Sequence, residues 1–261
     1  MSIPPGDLMS GFQLQGRVAL VTGAGRGIGR SVALALAQAG AEVWLVARTR
    51  EPIEQVAAEI RAAGGNAHAV PCDITDSAAV GRVLASVPRL DVLVNNAGTN
   101  IPEPFVEVSE QHLDTLINLN VKAAFRVAQA AARKMLEAPD RNTRGGAIVN
   151  MSSQMGHVGS VNRSVYCMTK HALEGLTKAM ALELAAHNIR VNSIAPTFIE
   201  TPMTAPMFAQ PGFGDWVRER IPMGRVGRPE EVAAAVVFVA SPAASLMTGA
   251  CLLLDGGWTA Q

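Results

Sequence analysis

Near the start of the chain a strand, a glycine-rich turn, a helix and a second strand follow one another within about 30 residues, and no other feature constrains the fold so tightly. Residues 17–21 (RVALV) form a short apolar run and residues 22–29 (TGAGRGIG) are rich in glycine. Ile28, Val32, Leu36 and Ala39 then recur at a helical step until Gly40 stops the pattern, and residues 42–47 (EVWLVA) read as a second buried strand. A βαβ unit of this kind places its two strands parallel, with a right-handed crossover.

The alternation continues to the end. A polar-faced helix fits 51–63, closed by Gly64 and Gly65, and strands fit 67–71 and 90–94 with a short helix at 77–87 between them. The second of these strands stops at Asn95-Asn96-Ala97-Gly98, and Ser109 is placed to cap a long helix reaching about Leu136. After a polar loop at 138–146 come a strand at 147–151, a helix running to about Ala186, a strand at 189–194, a helix opening at 227–231 and a last strand at 251–254. Apolar strands separated by helices predict an α/β chain: a three-layer Rossmann fold, with a doubly wound parallel sheet of about seven strands covered on both faces. With no composition break or repeat, residues 16–261 read as a single domain after an N-terminal tail at 1–15. Residues 201–226, rich in Pro, Met and Gly, are the one long irregular stretch and read as a substrate-binding loop.

Charge narrows the partners. Lys plus Arg (22) equals Asp plus Glu (22), so no bulk charge draws the chain to nucleic acid or to an anionic membrane. The longest apolar runs, such as 233–240, are too short to span a bilayer. The expected partner is a small molecule or another copy of the chain. Cys72, Cys167 and Cys251 are scattered with no metal spacing, which suits a reducing compartment, and the first 15 residues do not read as a signal peptide; the expectation is a cytoplasmic protein. The five histidines form no H-x-x-x-H pair, so no catalytic metal is expected.

Gly23, Gly27 and Gly29, between a strand and a helix, allow a tight turn, admit a pyrophosphate against bare backbone and aim the amides of a helix N-terminus at an anion. Ile28 lies in that turn. At the end of the second strand, where an NAD site offers a carboxylate to the ribose 2′-hydroxyl, the chain holds Ala47-Arg48-Thr49. Arg48 suits a bidentate contact to a 2′-phosphate, and Arg26 adds a second positive charge. The preferred cofactor is therefore NADP(H), with NAD(H) as the alternative. Asp73, followed by Ile74 at the end of the third strand, is placed for the adenine amino group.

Tyr166, the only tyrosine, precedes Lys170 by four residues, so on a helix phenol and ammonium share a face. A cation beside a hydroxyl and an oxidised nicotinamide both favour the phenolate. Ser153 lies thirteen residues before Tyr166, just past a strand end. Taken with the glycine turn and Asn95-Asn96-Ala97-Gly98, these residues resemble the short-chain dehydrogenase/reductase family over residues 17–258. Within it they are similar to the 3-oxoacyl carrier-protein reductase and gluconate or sugar-alcohol dehydrogenase groups. The resemblance implies a tyrosine general acid/base at Tyr166, a lysine at Lys170 that lowers its pKa and holds the nicotinamide ribose, and a serine at Ser153 that bonds the substrate oxygen. It also implies that Asn120 completes a tetrad, with Asn118 as a nearby competitor, and that subunits commonly build tetramers. Cofactor contacts are implied at Asn96, Ala97, Gly98, Pro196, Ile199 and Thr201. Thr197 stands where the family usually has glycine after the proline.

Met155, His157, Phe198 and Met203 are the candidate substrate pocket, with Met207 and Trp216 as further apolar wall. The sequence thus predicts an NADP(H)-dependent oxidoreductase interconverting a carbonyl and a secondary alcohol. An NAD-dependent alcohol or sugar dehydrogenase is one alternative. A nucleotide-sensing binding protein without turnover is another, but a pure sensor has no need of Asn120, Ser153, Tyr166 and Lys170 together.

Overall fold

A computed structural model of the chain describes residues 7–261. Seven strands form one sheet: β1 (Val18–Thr22), β2 (Glu42–Ala47), β3 (Ala67–Pro71), β4 (Val92–Asn95), β5 (Gly146–Met151), β6 (Ile189–Pro196) and β7 (Cys251–Leu254). Their order is β3-β2-β1-β4-β5-β6-β7 and every pairing is parallel. The order reverses between β1 and β4. Parallel strands force crossovers, and the helices α1 (Gly27–Gln38), α2 (Arg50–Ala62), α3 (Ser77–Ser86), α4 (Glu110–Ile117), α5 (Ala124–Leu136), α6 (Arg141–Arg144), α7 (Ser164–Leu184), α8 (Ala205–Phe208), α9 (Phe213–Arg220) and α10 (Pro229–Ala240) lie in those connections.

Side chains alternate along each strand between two apolar layers, which is why the central strands read as unbroken hydrophobic runs. Ala19 and Val21 of β1, Val43 and Leu45 of β2 and Val92 and Val94 of β4 pack against Val32 and Leu36 of α1, Ile53 and Ile60 of α2 and Val236 of α10. Their strand neighbours Leu20, Trp44, Val46 and Leu93 face the other way, onto Val83 of α3, Val127 and Ala131 of α5 and Ala181 of α7.

The expected long helix after Ser109 is present, and the Ser109 hydroxyl caps it by accepting from the His112 amide. It is interrupted by a π-helical turn over Asn118–Ala123. Just past it the Ala124 carbonyl accepts from Asn95 Nδ2 at 2.8 Å. The polar loop at 138–146 contains α6, and the irregular stretch at 201–226 contains α8 and α9, which its Pro, Met and Gly content hid. Residues 1–6 of the expected tail lie outside the described residues. Beyond them Met9–Phe12 forms a 3-10 turn, and Leu14 is buried with its amide donating to Ala39 O.

At the end of the sheet away from the glycine turn, Asp91 is 1% exposed. It accepts from the Val18 amide at 3.0 Å and from Arg89 Nε at 3.1 Å and Arg144 Nε at 3.0 Å. Burial alone would raise its pKa, but these donors hold the carboxyl below its usual range. A group depressed in this way adds stability above its unfolded pKa, and that stability is lost as the pH falls through the folded value. Asp91→Asn should therefore cost about 1–3 kcal/mol at neutral pH in urea unfolding, because it removes the buried carboxylate that Arg89 and Arg144 share. The gap to wild type should close as the pH falls below about 3.9.

Candidate active site

The site forms at the carboxyl ends of β1, β4 and β5, where the sheet order reverses and a crevice opens between crossovers leaving on opposite faces. Thr22 ends β1, and its buried hydroxyl accepts from the Asn96 and Ala97 amides, both at 3.0 Å. Asn96 Nδ2 returns to Thr22 O at 2.9 Å and Gly23 O at 3.3 Å. The glycine turn is thereby bound to the Asn95-Asn96-Ala97-Gly98 strand end.

Glycine is required where these parts meet. Gly23 and Gly27 adopt φ of +67° and +55°, in the left-handed region that side chains disfavour. A Cβ on Gly29 would stand 2.2 Å from Gly23 O and 2.5 Å from Asn96 Nδ2. The result is a side-chain-free cradle at the start of α1, whose N-cap, Arg26, makes no side-chain capping bond. Thr201 borders it, since a Cβ on Gly27 would lie 3.4 Å from the Thr201 Cβ. Arg26 and Arg48 are exposed beside the turn and at the end of β2. Asp73 lies close enough to Arg48 for the two charges to interact, and its carboxyl is held low first by the Thr75 amide and hydroxyl, which bond Oδ1 at 2.9 and 2.8 Å. Ile74 is buried beneath it, as are Ile199 and Pro196 on the far side. Thr197 Oγ1, between them, is buried with no partner among the described residues. A bare-backbone cradle, two exposed arginines and an orphaned hydroxyl fit a phosphorylated dinucleotide.

The candidate catalytic residues converge on the same crevice. Lys170 is 5% exposed, donates to Met151 O at 2.8 Å and lies 5.4 Å from the Tyr166 ring centroid. Asn120, in the π-helical turn, is 1% exposed; its Oδ1 accepts from Thr99 N at 2.9 Å, and its Nδ2 donates to Thr99 O at 2.8 Å and Thr169 Oγ1 at 3.2 Å. Asn118 faces outward. Gly98 lets Asn120 and Lys170 approach: a Cβ there would be 3.2 Å from Asn120 Oδ1 and 3.8 Å from Lys170 Nζ. Ser153 is buried, with its hydroxyl accepting from the Met155 amide at 3.2 Å.

Burial dominates the electrostatics. It pushes the Tyr166 phenol up to about 12, against the opposing hydrogen bond from Ser153. It pushes the Lys170 ammonium down to about 8, against the pull of Glu174. Ser153 and Arg163 are the groups that oppose the rise of the phenol.

Of the expected substrate pocket, Met155 and Phe198 belong to one apolar cluster with Cys167, Val217 and Ile221, and Tyr166, Met207 and Trp258 pack against it. Phe208 and Phe213 lie edge-on to Phe198 at 6.3 and 5.7 Å between centroids. Trp216 joins this aromatic group through Phe213 and Trp258. Two expected members fall elsewhere. Met203 is 52% exposed and outside the cluster, and His157 turns its ring to Cys251 and Glu174. Sequence spacing put His157 four residues past Ser153, but the intervening 3-10 turn, Gln154–Gly156, swings it away. Thr22, Thr99 and Thr169, which fix the asparagines, escaped the sequence reading because a threonine near a strand end or inside a helix carries no signal of its own.

A family model described as enoyl-(acyl carrier protein) reductase matches residues 23–259. L-xylulose reductase of Mus musculus is 42% identical over 249 residues, covering 95% of this chain and 98% of that protein. A short-chain type dehydrogenase/reductase from Mycobacterium marinum superposes with a TM-score of 0.91 at 38% identity, covering 97% of this chain and 100% of that one. A gluconate 5-dehydrogenase from Burkholderia cenocepacia, in complex with NADP and tartrate, superposes with a TM-score of 0.91 at 34% identity, covering 97% of this chain and 99% of that one.

The buried ammonium gives a pH-dependent expectation. With its pKa lowered from 10.5 to about 8, Lys170 takes up fewer protons folded than unfolded between those values, so it costs stability below about pH 8, and the cost fades as pH rises toward 10.5. Lys170→Met should raise the unfolding free energy by about 1–3 kcal/mol at neutral pH, with the lost bond to Met151 offsetting part of the gain. Urea denaturation at several pH values should show the gain shrinking above pH 8.

Proposed function

This chain belongs to the short-chain dehydrogenase/reductase family, whose members are oxidoreductases acting on CH–OH substrates, and on that premise we propose that it interconverts a carbonyl and a secondary alcohol using NADP(H). The observation that carries the reading is the convergence of Asn120, Ser153, Tyr166 and Lys170 on the crevice that the glycine cradle lines. The pyrophosphate would rest on the turn from Gly23 to Gly29 and against Thr201. Arg48 and Arg26 would hold a 2′-phosphate, and Asp73 with Ile74 the adenine. Asn96, Ala97, Gly98, Pro196 and Ile199 would line the nicotinamide half. When bound, the dinucleotide supplies or accepts the hydride.

The rest of the chemistry falls to the chain. In the reductive direction the neutral Tyr166 hydroxyl is a proton donor to the carbonyl oxygen, and the Ser153 hydroxyl bonds the same oxygen as negative charge develops on it. A phenol raised to about 12 by burial is protonated at neutral pH and so has a proton to give, though as a weaker acid than free tyrosine. Taking one in the oxidative direction needs added positive charge beside it. Lys170 is placed to contribute that charge, and Asn120 is placed to keep the helix that carries both residues against the Thr99 backbone. The aromatic cluster beside Tyr166 excludes water from the reacting atoms.

A relative named for L-xylulose and a structural neighbour named for gluconate make polyhydroxylated carbonyl compounds the first substrates to try. Oxidation of NADPH and NADH should be followed with ketoses, oxo-sugar acids, simple ketones, and 3-oxoacyl and enoyl thioesters. NADPH-dependent turnover of a ketose or oxo-acid that disappears in Tyr166→Phe, with cofactor binding kept, is the expected outcome. Turnover of the enoyl thioester alone would overturn the carbonyl reading. Arg48 is exposed, so Arg48→Ala should fold normally and reduce the preference for NADPH over NADH by about tenfold, equal to about 1.4 kcal/mol; an unchanged preference would remove Arg48 from the phosphate site.

A further inference from the structure

Behind the catalytic face, three side chains of metal-ligating type meet from three separate elements. His157 follows the 3-10 turn that begins at Ser153, Glu174 lies on α7 one helical turn beyond Lys170, and Cys251 opens β7. His157 Nε2 is 3.1 Å from Cys251 Sγ and 3.6 Å from Glu174 Oε1, and Cys251 Sγ is 3.6 Å from the same carboxylate oxygen. Among the described residues no other group of three histidine, cysteine or acidic side chains offers such a set of donors.

Two of these separations, both 3.6 Å to Glu174 Oε1, are those of a coordination sphere, and the third, His157 Nε2 to Cys251 Sγ, is shorter at 3.1 Å. Zinc–nitrogen, zinc–sulfur and zinc–oxygen bonds of about 2.0–2.3 Å at tetrahedral angles place neighbouring donors about 3.3–3.6 Å apart. The three atoms thus outline one face of a tetrahedron that is completed when the exposed His157 ring draws back from Cys251. The carboxylate is already oriented, since the Ser193 hydroxyl donates to Glu174 Oε2 at 2.7 Å and leaves Oε1 toward the other two donors. Supports of this kind fix ligands in metal sites. Glu174 is 6% exposed while His157 is open to solvent, so the cluster has both a rigid floor and an entry path.

We propose that His157, Glu174 and Cys251 form a binding site for a single zinc-class divalent ion, with its fourth position open to water. Mixed nitrogen, sulfur and oxygen donors in tetrahedral array favour Zn²⁺ or Co²⁺ over Mg²⁺ or Ca²⁺, which take oxygen shells. A reactive Cys–His pair is the competing reading of the short contact. That reading leaves the Glu174 carboxylate, 3.6 Å from both atoms, without a part. A bound cation supplies the charge that a buried thiolate lacks. The ion would tie the turn that carries Ser153 to β7 and to the helix that carries Tyr166 and Lys170. The site does not depend on the identity of the carbonyl substrate.

The test is titration of the full-length chain with CoCl₂ and, in competition, ZnCl₂. One equivalent of Co²⁺ should give a thiolate-to-cobalt charge-transfer band in the near ultraviolet together with the strong visible bands of tetrahedral cobalt, and one equivalent of Zn²⁺ should erase both. Cys251→Ser should abolish the charge-transfer band. His157→Ala, at an exposed position where the fold is not at risk, should weaken Co²⁺ and Zn²⁺ at least about tenfold while melting like the metal-free wild type. Absence of the charge-transfer band in the wild type would overturn the proposal, as would spectra and affinities that neither variant changes.

Discussion

The buried hydroxyl of Thr22 is the joint on which the site depends. Two backbone amides of the β4 end, those of Asn96 and Ala97, share it as acceptor. Without it the Ala97 amide would be left unpaired beneath the glycine turn, at about 1–3 kcal/mol, and the Asn96 amide would keep only Val94 O at 3.1 Å. The same joint brings Asn96 against the turn so closely that Gly29 has no room for a Cβ. One hydrogen-bonded contact therefore sets the width of the crevice at the sheet's reversal point, and with it the distance between the candidate phosphate cradle and the candidate catalytic residues.

From there the polar connections run inward rather than to solvent. Asn95 reaches the Ala124 carbonyl and Asn150, and Asn150 reaches Thr177 on α7. Asn120 joins Thr99 to Thr169. The π-helical turn over Asn118–Ala123 carries Asn120 and with it the second connection, in which a buried side-chain amide reaches Thr169 on α7. Helix α7 is thus held by side-chain bonds at two levels along its length. Tyr166 and Lys170 are fixed in place by neighbours that touch neither of their functional atoms.

Desolvation shapes both of those functional groups. The phenol rises and the ammonium falls because each is removed from water more completely than nearby opposite charges compensate. At neutral pH only the ammonium of this pair costs stability, since the phenol is uncharged folded and unfolded, and both are poised to respond to charge placed in the crevice. Tyr166 packs at the edge of the apolar cluster that includes Phe198, Phe208, Phe213 and Trp258.

Element order, the parallel sheet and the glycine turn were legible in the sequence because they rest on local signals: apolar runs of strand length, a helical repeat of Ile28, Val32 and Leu36, and glycines between them. Tyr166 and Lys170 were legible for the same reason, as their spacing is a helical turn. Helices α8 and α9 were not, because each is short and sits among Pro, Met and Gly, where propensity points away from helix and packing on Phe198 decides. His157 and Met203 were placed in the pocket on sequence proximity, which does not fix direction once a 3-10 turn or an exposed bend intervenes. The sequence by itself determined which chemistry-bearing residues exist and at which strand ends they emerge. Only the tertiary structure decided which of them meet: Cys251 lies 94 residues from His157 and 77 from Glu174, and at such separations contact is set by the sheet order and the packing of α7, not by any repeat in the chain.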